Sequence, residues 1–210
     1  MNTELPDFLA NTDPTWLAGV GLLIATALVV LIWLVYKFRH PSDYTRVEKV
    51  VKEISDAYIK DAVLSDGLYG YHFIDYLILL PGKILVLAVQ DNEGYIFGGE
   101  KIEKWAQVVN NRSFSFDNPL VNTHHYIQAV RTICNDVDIV NRVVFTSKSS
   151  FPKGIPAGVI EFKNLKKELE ALKRASSTTN TNAAKSMWNK LLESTKQQKI
   201  QYKQELSTAA

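Results

Sequence analysis

The first pattern along the chain is an unbroken apolar run, Trp16–Tyr36, which contains no charged residue. As a helix this run would be about 31 Å long, close to the thickness of the hydrocarbon core of a bilayer. Aromatic residues lie near both of its ends, where they are typical of the membrane–water interface. The pattern therefore predicts a transmembrane helix at residues 16–36, preceded by a short extracytoplasmic N-terminus at residues 1–15.

The charges on either side of this run predict its orientation. Three acids and no base precede it, and the basic residues of the chain begin at Lys37. A cleaved signal peptide would instead begin with basic residues. By the positive-inside rule we expect a single-pass protein of the inner (cytoplasmic) membrane with its N-terminus outside and its C-terminal domain in the cytoplasm. The one cysteine, Cys134, fits a reducing compartment.

After residue 42 the apolar positions first recur about every 3.6 residues, as in a helix. Further along, short apolar runs typical of strands follow. Apolar residues at helical spacing predict an amphipathic helix over Asp43–Lys60. Two apolar runs, Phe73–Leu80 and Ile84–Gln90, are joined by a Pro81-Gly82 turn and predict a pair of strands, with a third short strand near Tyr95–Phe97.

The remaining pattern alternates between helices and strands. Its spacing favours a helix over a strand at Lys101–Asn110, and it predicts helices at Leu120–Cys134 and Leu165–Leu172, the latter capped by Asn164, and strands at Val140–Thr146 and Val159–Phe162. This order predicts an α/β domain at residues 43–172, with a mixed central sheet flanked by helices. A polar linker at 173–186 and a separate C-terminal helix at 187–206 follow.

One carboxylate, Asp75, lies inside the first apolar strand, where an unpaired charge is costly. Metal-dependent phosphodiester cleavage uses carboxylates on neighbouring strands and a lysine two residues beyond one of them, on the same face. The second strand offers only Ala88 and Gln90 at the matching places. The pattern therefore indicates a site from which an acid and a base are missing.

Five short motifs occur in order: Ile74-Asp75-Tyr76, Leu80-Pro81-Gly82, Ala88-Val89-Gln90, Trp105 and Asn118-Pro119-Leu120. Together they resemble the nuclease-related domain (NERD) family, which is similar in fold to the restriction endonucleases of the PD-(D/E)xK class. The resemblance implies a restriction-endonuclease-like fold, a Mg²⁺-dependent nuclease site and an early helical glutamate, which falls on Glu48.

The chain departs from the family pattern at the residues that carry the chemistry. Ala88 stands in place of the catalytic glutamate, Gln90 in place of the lysine and Tyr76 in place of the histidine after the aspartate. The resemblance therefore implies a degenerate site in which Asp75 and Glu48 remain. No cofactor is expected for such a site, whereas an active nuclease would need Mg²⁺.

Three hypotheses remain open at this stage. The first is a catalytically inactive domain that binds nucleic acid or a protein partner at the membrane, with Lys163, Lys166 and Lys167 as phosphate contacts. The second is an active metal-dependent nuclease that uses Asp75, Glu48 and a displaced Asp91 or Glu93. The third is a structural, membrane-tethered adaptor that keeps the fold only as a scaffold.

Overall fold

The computed structural model describes residues 14–39, 42–68, 70–175 and 181–209, with side chains described at 19–33, 42–68, 70–175 and 181–208. The chain divides into two compact units, residues 1–42 and 43–210. The helices and strands, in chain order, are α1 (Pro14–Arg39), α2 (Asp43–Ile54), β1 (Ala57–Ser65), β2 (Tyr71–Leu80), β3 (Lys83–Gln90), β4 (Gly94–Phe97), β5 (Lys104–Val109), β6 (Arg112–Asp117), α3 (Pro119–Arg131), β7 (Asp138–Phe145), β8 (Ser149–Ser150), β9 (Val159–Glu161), α4 (Leu165–Arg174) and α5 (Thr181–Ala209).

Helix α1 occupies the first unit and covers the apolar run at residues 16–36. Within the part of the chain that the structure describes, no helix is long and apolar enough to cross a membrane. Both ends of the predicted span, residues 16–18 and 34–36, lie outside the residues whose side chains are described. The transmembrane helix predicted at 16–36 is therefore not confirmed.

The second unit is built on a five-stranded mixed sheet with the order β1-β2-β3-β7-β9. Strands β1, β2 and β3 are antiparallel neighbours, whereas β7 runs parallel to both β3 and β9. The predicted Pro81-Gly82 turn joins β2 to β3, and Gly82 adopts a φ of 72°, which glycine tolerates without steric cost. The predicted α/β class is thus confirmed, and helices cover this sheet.

A second, four-stranded sheet with the order β6-β5-β4-β8 replaces part of the single central sheet that the sequence predicts. The helix favoured at residues 101–110 is wrong, because Lys104–Val109 forms β5 and pairs with β6. Asn110 and Asn111, both at positive φ, make the tight turn between these two strands. Cross-strand pairing of Trp105 with Phe116 outweighs the helical spacing of the apolar positions here.

Helix α2 is shorter than the sequence pattern predicts. It ends at Ile54, and the residues from Ala57 onward form β1 instead of the last turns of a helix that reaches Lys60. The apolar residues at 57–59 are compatible with a helix or with a strand. They form a strand because β1 pairs with β2 along its length.

Each face of the five-stranded sheet packs against helices. One apolar cluster joins β1, β2 and β3 to α3 and α5, and a second joins β2, β3, β7 and β9 to α2 and α4. Helix α5 begins at Thr181, so it covers part of the linker expected at 173–186, while residues 176–180 lie outside the described residues. Ala184, Trp188 and Leu191 of this helix are buried in the first cluster, so the C-terminal helix is part of the domain core.

Candidate functional site

Along a strand, successive side chains point to opposite faces of the sheet. This alternation is interrupted by one extra residue at Asp61 of β1 and at Asp75 of β2. Ile74, Leu77 and Leu79 all belong to the cluster under α5. In a regular strand Ile74 would face the other side of the sheet from Leu77, because the two residues are three positions apart. The ladder pairs Lys60 with Tyr76 and Ala62 with Ile74, which places Asp61 opposite Asp75 at the shift. Asp61 has a φ of 50°, a left-handed conformation that aspartate tolerates better than most residues. Two carboxylates thus stand opposite each other at an irregularity in the sheet.

The carboxylate of Asp75 fills the place where β2 and β3 stop pairing. The last ladder pair there is Tyr76 with Leu87, and beyond it the N–H of Val89 donates to Asp75 Oδ2 at 2.7 Å. Burial raises the pKa of Asp75 above its usual range, the Val89 hydrogen bond opposes this, and the nearby Asp61 adds to it. Asp75 therefore continues the contact between the two strands by a side chain instead of a backbone bond.

The position of the family's catalytic glutamate is filled by apolar core. Ala88 is only 4% exposed and packs in a cluster between the two sheets that includes Trp105 and Phe145, whose rings stack with centroids 6.0 Å apart. Gln90, where the family has its lysine, is half-buried at the end of β3. A glutamate at residue 88 would place a charge among these rings, which is costly without a partner.

Glu48, the second residual candidate, forms an ion pair with a lysine of β1. Its Oε2 accepts from Lys60 Nζ of β1 at 2.7 Å, and this ion pair lies near the hydroxyl of Tyr76. Tyr76 is 1% exposed, and among the described residues its hydroxyl finds no hydrogen-bond partner. Burial raises the pKa of Tyr76 to about 12, against a smaller opposing effect of Lys60.

The two carboxylates proposed as displaced ligands lie just after β3. Asp91 accepts from Thr146 Oγ1 at 2.7 Å and from Lys148 Nζ at 2.8 Å. These bonds, led by that from Lys148, hold the pKa of Asp91 below its usual range. Glu93 is exposed, and its backbone carbonyl accepts from Gln107 Nε2. Asp91 thus joins the end of β3 to the segment that follows β7.

The start of α2 lies at this same edge. Asp43 Oδ2 accepts both from the N–H of Ser147 at 2.7 Å and from its hydroxyl at 2.6 Å, while Asp43 Oδ1 accepts from Arg46 at 3.0 Å. Burial favours a higher pKa for Asp43, but the bonds from Ser147 and Arg46 outweigh it, and the pKa is lowered. Burial raises the pKa of Tyr44, and the charges of Asp75 and Asp91 add to this, so Tyr44 is within electrostatic range of both carboxylates.

A cleft of about 500 Å³ opens beside this edge. Three basic side chains line it, and each has an acidic partner: Arg46 with Asp43, Lys163 with Glu161, and Lys166 with Glu53. The guanidinium of Arg46 also lies 4.4 Å from the centre of the Phe162 ring. Hydroxyl groups complete the lining, from Thr146, Ser147, Ser149 and Ser150.

The structure therefore brings together some of the predicted residues and separates others. Lys163 and Lys166 share the cleft, whereas Lys167 is exposed and does not line it. Within the ranges that the structure describes, no three His, Cys, Asp or Glu side chains are placed so that they could hold a metal ion. The metal role predicted for Asp75 and Glu93 remains a prediction.

The fold is a mixed α/β domain in which helices flank the sheets. The family model of the nuclease-related domain matches residues 44–146, so the chain contains a nuclease-related domain. A curated relative, an uncharacterized protein of Bacillus anthracis, is 25% identical over 81 residues, which are 38% of this chain and 38% of the relative. The chain thus spans well under half the length of that relative, and no solved structure matches.

Three site residues were missed by sequence reasoning. Asp61 directly follows the predicted helix that ends at Lys60, and only the register of β1 against β2 places it opposite Asp75. Asp43 is the first residue of the predicted helix, and this position gives no indication of its bonds to Ser147, more than a hundred residues away. Lys60 was assigned to the last turn of a helix, so its pairing with Glu48 required β1 to be recognised as a strand.

Proposed function

We propose that the unit at residues 43–210 is a nuclease-related domain that binds nucleic acid without cleaving it. The observation that carries this proposal is the apolar packing around Ala88. In a PD-(D/E)xK site, a metal needs an acid at that position, and here the space beside residue 88 is occupied by aromatic side chains. Asp75 has one oxygen committed to Val89, and Asp91 is committed to Thr146 and Lys148.

The cleft beside the edge of β3 and β7 supports the binding part of the proposal. Arg46, Lys163 and Lys166 supply cations, and the hydroxyl of Ser150 supplies a donor, which is a combination that contacts phosphate oxygens. Glu53, the partner of Lys166, has a side chain that is 52% exposed, so a phosphate can replace it at small cost, whereas the side chains of Asp43 and Glu161 are only 10% and 16% exposed. A nucleic-acid strand that crosses this edge would pass close to Asp91 and Tyr44.

The test uses the full chain with single- and double-stranded DNA and RNA. We expect binding that weakens steeply with salt, because phosphate contacts release counterions. We expect no cleavage with Mg²⁺ or Mn²⁺, even at high protein concentration. The variant K163Q/K166Q should weaken binding, whereas K196Q, which removes an exposed lysine paired with Glu193 on α5, should not.

The outcomes separate the alternatives. Metal-dependent cleavage that D75A abolishes would replace this proposal by the active nuclease with a displaced carboxylate. Absence of salt-sensitive binding to any nucleic acid would leave the protein-binding or adaptor role. Binding that K163Q/K166Q and K196Q weaken equally would contradict the cleft as the contact surface.

Attachment to the inner membrane is a separate part of the proposal, supported by the charge-free sequence at 16–36 and by the basic residues that follow it. The full chain, expressed in cells, should remain with the membrane fraction after alkaline extraction. A protease added from outside the cell should leave the C-terminal domain intact. Release of the full chain by alkali would contradict this attachment.

A further inference from the structure

A second cavity lies between the β1–β2 hairpin and the C-terminal half of helix α5. Its volume is about 350 Å³, which is within the range of small-molecule sites. The cavity shares no lining residue with the cleft of Arg46 and Lys163. Its lining residues on β1 and β2 lie within the matched family segment, whereas those on α5 lie outside it. Its lining comprises Asp61, Val63, Phe73, Ile74, Asp75, Lys199, Tyr202, Lys203 and Leu206.

Specific contacts hold this half of α5 over the hairpin. Tyr71 donates its hydroxyl to Glu205 Oε1 at 2.8 Å, and Lys199 Nζ donates to the backbone carbonyl of Asp61 at 3.2 Å. The ring of Tyr202 meets Phe73 edge to face, with centroids 5.2 Å apart. The helix therefore forms one wall of a defined cavity.

The chemistry of the lining is of three kinds. Aromatic and aliphatic side chains form most of the walls, and Phe73 is 54% exposed although it stands in a strand. Two carboxylates, from Asp61 and Asp75, lie at the sheet, where they can accept hydrogen bonds. Two lysines line the helix side: Lys199, whose Nζ donates to the backbone carbonyl of Asp61, and Lys203, which is exposed.

A ligand that matches the apolar walls, the carboxylates and the lysines must combine a flat apolar body, hydrogen-bond donors and an anionic group. A nucleotide has this combination: its base stacks on aromatic rings, its amino and imino groups donate to carboxylates, and its phosphate pairs with lysine. An aliphatic anion would leave the carboxylates without donors, and a free phosphate would leave the apolar walls empty.

We propose that this cavity binds a single nucleotide, with the base against Phe73 and Tyr202, the base edge toward Asp75 and the phosphate toward Lys199 and Lys203. The inference takes the class of ligand from the proposed function, but it concerns a different surface. A nucleotide at the end of a bound strand, or a free mononucleotide, would occupy it by the same contacts.

The probes for the test are the common nucleoside monophosphates, titrated by calorimetry into the full chain. We expect saturable binding of at least one of them. F73A, at an exposed position, should weaken this binding about tenfold through the loss of stacking. K199Q/K203Q should weaken the monophosphate and leave the corresponding nucleoside unchanged, whereas the control K196Q should change neither.

Several results would overturn the proposal. These are the absence of saturable binding for every monophosphate at millimolar concentration, equal binding of hexyl phosphate, and F73A binding as tightly as the parent chain. The two proposals fail separately, because K163Q/K166Q should leave mononucleotide affinity unchanged. Loss of strand binding with mononucleotide binding retained contradicts only the proposed function, and the reverse contradicts only the nucleotide cavity.

Discussion

Asp75 Oδ2 accepts the N–H of Val89 at 2.7 Å, at the point where strands β2 and β3 have stopped exchanging backbone hydrogen bonds. The residue that the sequence predicts as a metal ligand thus satisfies a backbone donor that would otherwise lose its partner. Asp75 also lines the cavity under α5, together with Asp61. The same side chain is therefore both a structural link and a possible ligand contact, and the two roles respond differently to substitution.

Substitution of Asp75 separates these roles. D75A leaves the Val89 N–H without its acceptor and should lower the free energy of unfolding by about 1–3 kcal/mol. D75N keeps an oxygen acceptor and should lose less. Urea unfolding of the two variants and the parent chain at pH 7 measures the difference. Equal losses for D75A and D75N would show that the negative charge, not the hydrogen bond, holds the strands.

The raised pKa of Asp75 predicts the direction of a pH dependence. Because burial favours the protonated form, the folded chain binds this proton more tightly than the unfolded chain, whose Asp has a pKa near 3.8. The resulting stabilisation is complete below pH 3.8 and is lost as the pH rises through the folded pKa. The stability of the parent chain relative to D75N should therefore decrease with rising pH in this window and then level off. An increase would mean that the folded pKa is lowered.

Position 88 tests whether the nuclease site can be rebuilt. A88E places a carboxylate beside Trp105 and Phe145 and should lower the free energy of unfolding by about 3 kcal/mol or more. The matched control Q90K lies two residues further along the same strand, where the side chain is half-buried, and should cost about 1 kcal/mol or less.

Thermal or urea unfolding compares the two variants, and a cleavage assay with Mg²⁺ accompanies it. If A88E/Q90K folds as stably as the parent chain and cleaves DNA, the packing around residue 88 does not exclude the metal. That outcome would remove the main support for a non-cleaving domain.

Tyr76 stands where the family has histidine, and its buried hydroxyl has no hydrogen-bond partner among the described residues. Y76F removes this hydroxyl without changing the ring and should raise the free energy of unfolding by about 1 kcal/mol. Y95F, at a tyrosine that is 57% exposed, should change it by less than about 0.5 kcal/mol. A loss of stability in Y76F would indicate that a bound water or ion satisfies the hydroxyl.

Local pattern was sufficient for much of the fold and for little of the site. The apolar runs of β2 and β3 and the turn between them could be predicted, because period, β-branched content and Pro81-Gly82 all agree. The second sheet was missed since β5 has helical spacing and β6 alternates small polar residues with phenylalanine. Its pairing depends on the turn at Asn110 and Asn111, a local signal that the two asparagines do give.

The contacts around Asp75 are long-range, and this is why the sequence could not supply them. Asp75 itself was identified from one charge in an apolar strand. Asp61 lies beside it because of the register between β1 and β2. Lys199 and Tyr202 line the same cavity and come from the C-terminal helix. The sequence predicts the C-terminal helix as a separate element, so it does not indicate that this helix forms a wall of the cavity beside Asp75.

The role of α5 in the core leads to the last prediction. Trp188 is 5% exposed and packs with β1 and β3 in the cluster that also holds Ile127 and Val130 of α3. W188A should lower the free energy of unfolding by about 3–5 kcal/mol, because it leaves a large cavity in this cluster. I200A, at an exposed position further along the same helix, should have an effect below about 0.5 kcal/mol. If W188A is as stable as I200A, helix α5 is not part of the domain core, and the cavity that it encloses would lose its wall as well.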